Sequence, residues 1–242
     1  MITFLALCKE DPDVAIRLTR KLVEMKPDYL AVEGNPEVIS RYYKKIPRVI
    51  GEVASRLKDL LGITFEVKQY DKLFTHLNRS RYGIFPWKTC QRFADAEVVP
   101  LSYLDGPESS RSEYQLMRRQ YREFLSRCFD FEEQDPEQLP VFQLDAFLQQ
   151  RKESSVFLTT LARGVVERSL DQELSALAES ALAYLDPHRS VPRNVYRWNS
   201  LHEILQQKQE VTCVVDVAAV LDVSRHSLSH FLRAYPQKVE FV

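Results

Sequence analysis

The first 35 residues constrain the fold more than any other stretch of this chain. Ile2 to Cys8 (ITFLALC) is a nearly unbroken apolar run, too short for a core helix and suited to a strand covered on both faces. Asp11-Pro12-Asp13 then offers an N-cap candidate, a proline at the first helical position and an acid in the first turn. Ala15, Leu18, Leu22 and Met25 follow at the spacing of one helix face, Lys26 sits in the last turn, and Pro27 stops the helix. Tyr29-Leu30-Ala31-Val32 is a second apolar strand, ended by Glu33-Gly34-Asn35-Pro36. Strand, crossover helix and strand imply a parallel pair with a right-handed connection. In such sheets ligands bind beyond the carboxyl ends of the strands. Cys8-Lys9-Glu10 and Glu33-Gly34-Asn35 both fall there, which makes Glu33 the first candidate site residue. The plainer alternative for Glu33 is a strand-end acid that meets solvent or caps the next helix.

Composition narrows the class. The chain has 242 residues, 45% hydrophobic and 28% charged, which is ordinary globular composition with the length to bury a substantial core. A formal net charge of -1 provides no bulk attraction for nucleic acid or an anionic membrane. Cys8, Cys90, Cys128 and Cys213 are scattered without a close pair, so reduced, buried thiols are expected, not a disulfide framework or a zinc site. The opening apolar run lacks the basic start of a signal peptide. No apolar stretch approaches the ~20 residues needed to span a bilayer. A cytoplasmic protein is the expectation. With only 6 glycines there is no glycine-rich phosphate loop.

Further along, helices are expected over 36–46 and 47–61, and Ile63 to Val67 alternates like a strand near an edge. Gly83 and Pro86 break the next segment, which predicts an irregular turn containing Trp87 and then a helix to Ala94. Ala96 to Leu101 reads as another strand, and Asp105-Gly106-Pro107 as a turn. From Glu108 to Asp186 the pattern is helical and charged, with no strand signal. Its arginines (Arg111, Arg118, Arg119, Arg122, Arg127) read as a solvated face more than a phosphate site. Tyr196, Leu201, Ile204 and Leu205 fit a helix. Val211 to Val215 is the clearest buried strand, a helix is expected over 224–234, and residues 238–242 add a final strand. The predicted architecture is α/β: a mostly parallel sheet flanked by helices, with strands near 2–8, 28–33, 63–68, 97–101 and 211–216. Residues 1–105 and 187–242 form the core domain, and 106–186 a helical insertion or cap.

Four pieces, in order, resemble the superfamily that holds TraB/GumN-type proteins, erythromycin esterase and the ChaN-like haem-binding proteins. They are the opening strand and helix with KPDYLAVEG (Lys26 to Gly34), ADAEVVPLSYLD (Ala94 to Asp105), PRNVYRWNSLHEIL (Pro192 to Leu205) and TCVVDVAAVLDV (Thr212 to Val223). They cover about a third of the chain and leave the helical middle unmatched. The resemblance implies a site built from Glu33, Arg193 and Asn194. It also shows a loss. Where the family carries a GxxH signature this chain has Ala6-Leu7-Cys8-Lys9, and where it carries GAGH this chain has Asp216-Val217-Ala218-Ala219. Both histidines, the side chains suited to metal binding or general-base work near neutral pH, are gone.

The first functional expectation is therefore a divergent TraB/erythromycin-esterase-like domain without histidine-dependent chemistry, acting as a binding or scaffold protein. In a second reading it is a residual metal-dependent hydrolase using Glu33, Arg193 and Asp216, with Glu33 and Asp216 as a carboxylate pair for Mg2+ or Mn2+. A third takes Val217 to Arg233 as a helix-turn-helix presenting Arg225, His226, Ser229 and His230 to DNA. Against it, Asp222 stands where glycine usually makes the tight turn, and a strand precedes the motif. The expected partner is a small molecule or a protein, with nucleic acid less favoured, no membrane, and self-association left open. His76, His188 and His202 have no spaced partner and read as surface or structural residues.

Overall fold

A computed structural model describes residues 1–9, 11, 13–35, 84–105, 144–185, 191–222 and 235–242; the side chains of 84–87, 144–148, 184–185 and 191–193 lie outside that description. The expected helices over 36–46, 47–61 and 224–234, the strand at 63–67, the arginines between 111 and 127, and His76 and His188 lie outside the described residues.

Among the described residues, five strands make one all-parallel sheet: β1 (Ile2–Leu7), β2 (Leu30–Val32), β3 (Leu101–Tyr103), β4 (Val211–Asp216) and β5 (Gln237–Phe241). Their spatial order is β3-β2-β4-β1-β5. The two longest apolar runs, β1 and β4, lie side by side near the middle, with Leu7 in register with Asp216. All six residues of each are buried, which explains why both read as unbroken hydrophobic segments instead of alternating ones.

Six helices accompany the sheet among the described residues: α1 (Val14–Met25), α2 (Ile84–Glu97), α3 (Leu144–Glu167), α4 (Gln172–Leu185), α5 (Val191–Gln207) and α6 (Val217–Leu221). Ile2, Phe4, Ala6, Ala31, Val211, Cys213 and Val215 turn to one face and pack against Trp198, Leu201 and Leu205 of α5. The alternate residues turn the other way. Glu240 is in register with Leu5 of that second set, and its ion pair with Lys21 (2.8 Å) sets α1 over that face. Helices α3 and α4 close over the carboxyl end of β1. There Leu158, Leu161, Ala162, Ala178 and Leu182 meet Cys8, Val217, Ala218 and Leu221 in a second apolar cluster.

Several local expectations shift. Asp11 does not cap α1; its carboxylate accepts from the Asp13 amide (2.8 Å) and pairs with Arg17, and the helix begins at Val14. Helix α2 runs from Ile84 through Trp87 to Glu97, past the expected break. Pro86 falls in its first turn, where a missing N–H leaves no hydrogen bond unmade. Val98 then takes a left-handed conformation (φ 56°) and the Val99 amide bonds back to Ala94 (2.9 Å), so residues 96–99 end a helix and the strand starts only at Leu101. On α5, Tyr196 is exposed; the inward stripe is Asn194, Arg197, Trp198, Leu201 and Leu205.

Candidate functional site

Parallel pairing puts the carboxyl ends of β1, β2, β3 and β4 along one edge, and each strand delivers a charged residue to it. Lys9 follows β1, Glu33 follows β2, Asp105 lies just past β3, and Asp216 ends β4. The ladder extends one step beyond the strands: the Glu33 amide donates to the Val214 carbonyl (3.2 Å) and the Asp105 amide to the Gly34 carbonyl (3.2 Å). Gly34 has φ 141°, a conformation open to glycine and costly for other residues, and it turns the chain away directly after Glu33.

Helix α5 supplies the fifth charge. Arg197 is in phase with Trp198, Leu201 and Leu205, so the packing that seats those apolar side chains on the sheet also drives the guanidinium into the edge. Its Nη1 donates to Glu33 Oε1 (2.7 Å) and its Nε donates to Asp105 Oδ1 (2.7 Å), with Nη2 2.6 Å from the same Asp105 oxygen. All three side chains are almost fully buried, at 3%, 5% and 6% exposure for Arg197, Glu33 and Asp105. One guanidinium thus ties α5 to the ends of β2 and β3.

The other oxygen of Glu33 faces β4 and β1. Oε2 accepts from the Asp216 amide (3.1 Å) and from the Lys9 ammonium (3.4 Å). That ammonium also lies 3.8 Å from Asp216 Oδ2. Asp216 is fixed by the backbone as well. Its Oδ1 accepts from the Ala218 amide (2.9 Å), which makes it the N-cap of α6, and its Oδ2 accepts from the Lys9 amide (3.4 Å). Burial raises the Asp216 carboxyl above the ordinary range; the Lys9 charge opposes this, and nearby Glu33 adds to it. Lys9 is the most open member of the group at 29% exposure.

The residues expected from sequence separate into two sets. Glu33 and Asp216 are brought together. Asn194 is buried but turned elsewhere, donating to Asp222 Oδ2 (3.2 Å). Arg193 lies in the first turn of α5, with its side chain outside the described residues. Sequence reasoning missed Arg197, although an arginine inside the stripe Trp198, Leu201, Leu205 is a signal: a charge on a buried face needs a buried partner. It placed Lys9 at the strand ends and at the first lost histidine, but did not pair it with the acids. Ala219, at the second lost histidine, packs against the apolar cluster on α5.

Glu33 and Asp216 are thus already held by an ammonium and by backbone amides. Among the described residues, no group of three or more His, Cys, Asp or Glu side chains could hold a metal ion. Cys8, Cys90 and Cys213 are buried free thiols whose pKa burial pushes up, so they are poor nucleophiles; Cys128 is outside the description. His202 is on the surface, between Tyr235 (3.1 Å) and Gln206 (2.9 Å). Of the expected helix-turn-helix, Val217–Leu221 is α6, a five-residue helix directly after β4, and residues 223–233 are outside the description. No described helix is long and apolar enough to cross a membrane.

No protein-family model matches the sequence, and a search of curated proteins finds no match.

Proposed function

We propose that this chain is a divergent TraB/erythromycin-esterase/ChaN-like domain that works as a binding or scaffold protein and has given up the histidine-dependent chemistry of that superfamily. One observation carries the reading. The lysine at the position of the first lost histidine reaches both acids of the edge, with its ammonium 3.4 Å from Glu33 and 3.8 Å from Asp216. A tethered cation therefore stands where a carboxylate pair would otherwise take Mg2+ or Mn2+. Arg197 on the other Glu33 oxygen makes that acid a fixed ion-pair partner instead of a free base. The residual-hydrolase reading keeps the same Glu33 and Asp216, and it requires the metal to displace Lys9.

Thermal melts of the wild-type chain with and without millimolar Mn2+ or Mg2+ separate the two. The binding or scaffold reading expects no rise in Tm from either ion. A rise that disappears in Glu33→Gln would overturn it in favour of the metal-dependent hydrolase.

A further inference from the structure

Strand β5 ends the sheet on one side, and beyond it no strand lies among the described residues. Its bonds to β1 fix which of its backbone groups point outward. The Ile2 amide donates to the Pro236 carbonyl (3.1 Å) and the Val242 amide to the Ala6 carbonyl (2.9 Å), with Ile2 in register with Gln237 and Ala6 with Phe241. In a parallel ladder that phase commits the backbone groups of Lys238 and Glu240 to β1. It turns the N–H and C=O of Gln237, Val239 and Phe241 away from the sheet, as a template for another strand. Val239 and Phe241 are partly buried against the α5 cluster. Lys238 and Glu240 lie on the opposite face, 2.6 Å apart, and the lysine side chain is 64% exposed. A lysine on an edge strand deters indiscriminate pairing, and the acid two residues on decides which pairing it admits.

We propose that β5 pairs with β5 of a second copy, antiparallel about a two-fold axis at Val239, so that the sheet continues across an isologous dimer. Charge complementarity selects both the occupant and the register. With the axis at Val239, Lys238 of each strand faces Glu240 of the other. The outward residues then meet only one another, Val239 facing Val239 and Gln237 facing Phe241, at the positions that exchange both backbone bonds. Moving the axis to Lys238 sets lysine against lysine, and moving it to Glu240 sets acid against acid. An axis between two residues sets outward backbone groups against residues already bonded to β1. The second copy also covers the partly exposed Val239 and Phe241. The proposal goes beyond the binding role and uses none of the groups at the charged edge, so either can fail alone.

Sedimentation equilibrium of the full chain over a concentration series tests it. The mass of one chain should give way to that of two as concentration rises. Val239→Pro removes an outward N–H and none of the bonds to β1. It should keep the wild-type circular dichroism and weaken the dimer roughly tenfold or more. Lys238→Glu sets acid against acid in both cross-strand pairs and should weaken it comparably, with Lys238→Gln falling between that variant and wild type. Monomer at every concentration overturns the proposal. So does a dimer that folded Val239→Pro leaves intact, because its interface then lies elsewhere on the chain. Should Val239→Pro lose its fold, Lys238→Glu decides, since its site is mostly exposed: a dimer as tight as that of wild type overturns the proposal.

Discussion

The charged edge has two halves that use the same kinds of groups and carry different stakes. The inner half, Arg197 with Glu33 and Asp105, is shut away from water. The outer half, Lys9 with Asp216 and the second Glu33 oxygen, has an ammonium that still meets solvent. Desolvation makes an inner charge dependent on its partner, since removing one side leaves the other buried and uncompensated. In the outer half solvent screens the loss, and Asp216 has two backbone amides to fall back on. The inner half therefore holds the fold at this edge, and the outer half is the part that can lose its cation at small cost.

Removing the inner cation should have the largest effect. Arg197→Met keeps much of the aliphatic volume and takes the guanidinium away from two buried carboxylates, so denaturant unfolding should show a loss of about 3–5 kcal/mol. A loss comparable to that of an exposed pair would erase the distinction between the halves. Lys9→Met should cost about 1 kcal/mol or less by the same measurement, because the pair is partly solvated and the methionine still covers the edge.

How far this division was legible in the sequence follows from what each element needs. Strands β1, β2 and β4 were readable because each is an apolar run buried on both faces, and that demand is written in consecutive residues. Glu33 and Asp216 were readable because a parallel sheet sends its strand ends to one edge. Arg197 was not singled out, because its role depends on which face of α5 meets the sheet, and Tyr196, which fits the helix together with Leu201, Ile204 and Leu205, is exposed. Asp105 was read as part of a turn; only the pairing of β3 with β2 brings it beside Arg197. The start of β3 was misplaced because Val98 and Val99 look like strand residues locally. Here the helix runs on to Glu97, and a left-handed Val98 ends it.

The smallest expected effect is a change of slope with pH, and its sign is fixed by Asp216. Burial raises its folded-state pKa above the ordinary 3.8, so between the two values the native state binds more protons than the unfolded chain. The resulting stability is fully present below 3.8 and is lost as pH rises through the raised value. Asp216→Asn keeps a side-chain oxygen for the Ala218 amide and abolishes the titration. Stability measured from pH 4 upward should therefore shift steadily in favour of the variant relative to wild type. A difference that stays flat or runs the other way would mean that the Lys9 charge outweighs burial at Asp216.

The claim beneath all of this is that the acid ending β2 is committed to the guanidinium from α5. A double-mutant cycle of Arg197→Met and Glu33→Gln, read by denaturant unfolding, measures that commitment directly. The structure predicts a coupling energy of about 2–3 kcal/mol, the upper range for contacting residues. Effects that add to within ~0.5 kcal/mol would contradict it and place Glu33 and Arg197 in separate environments.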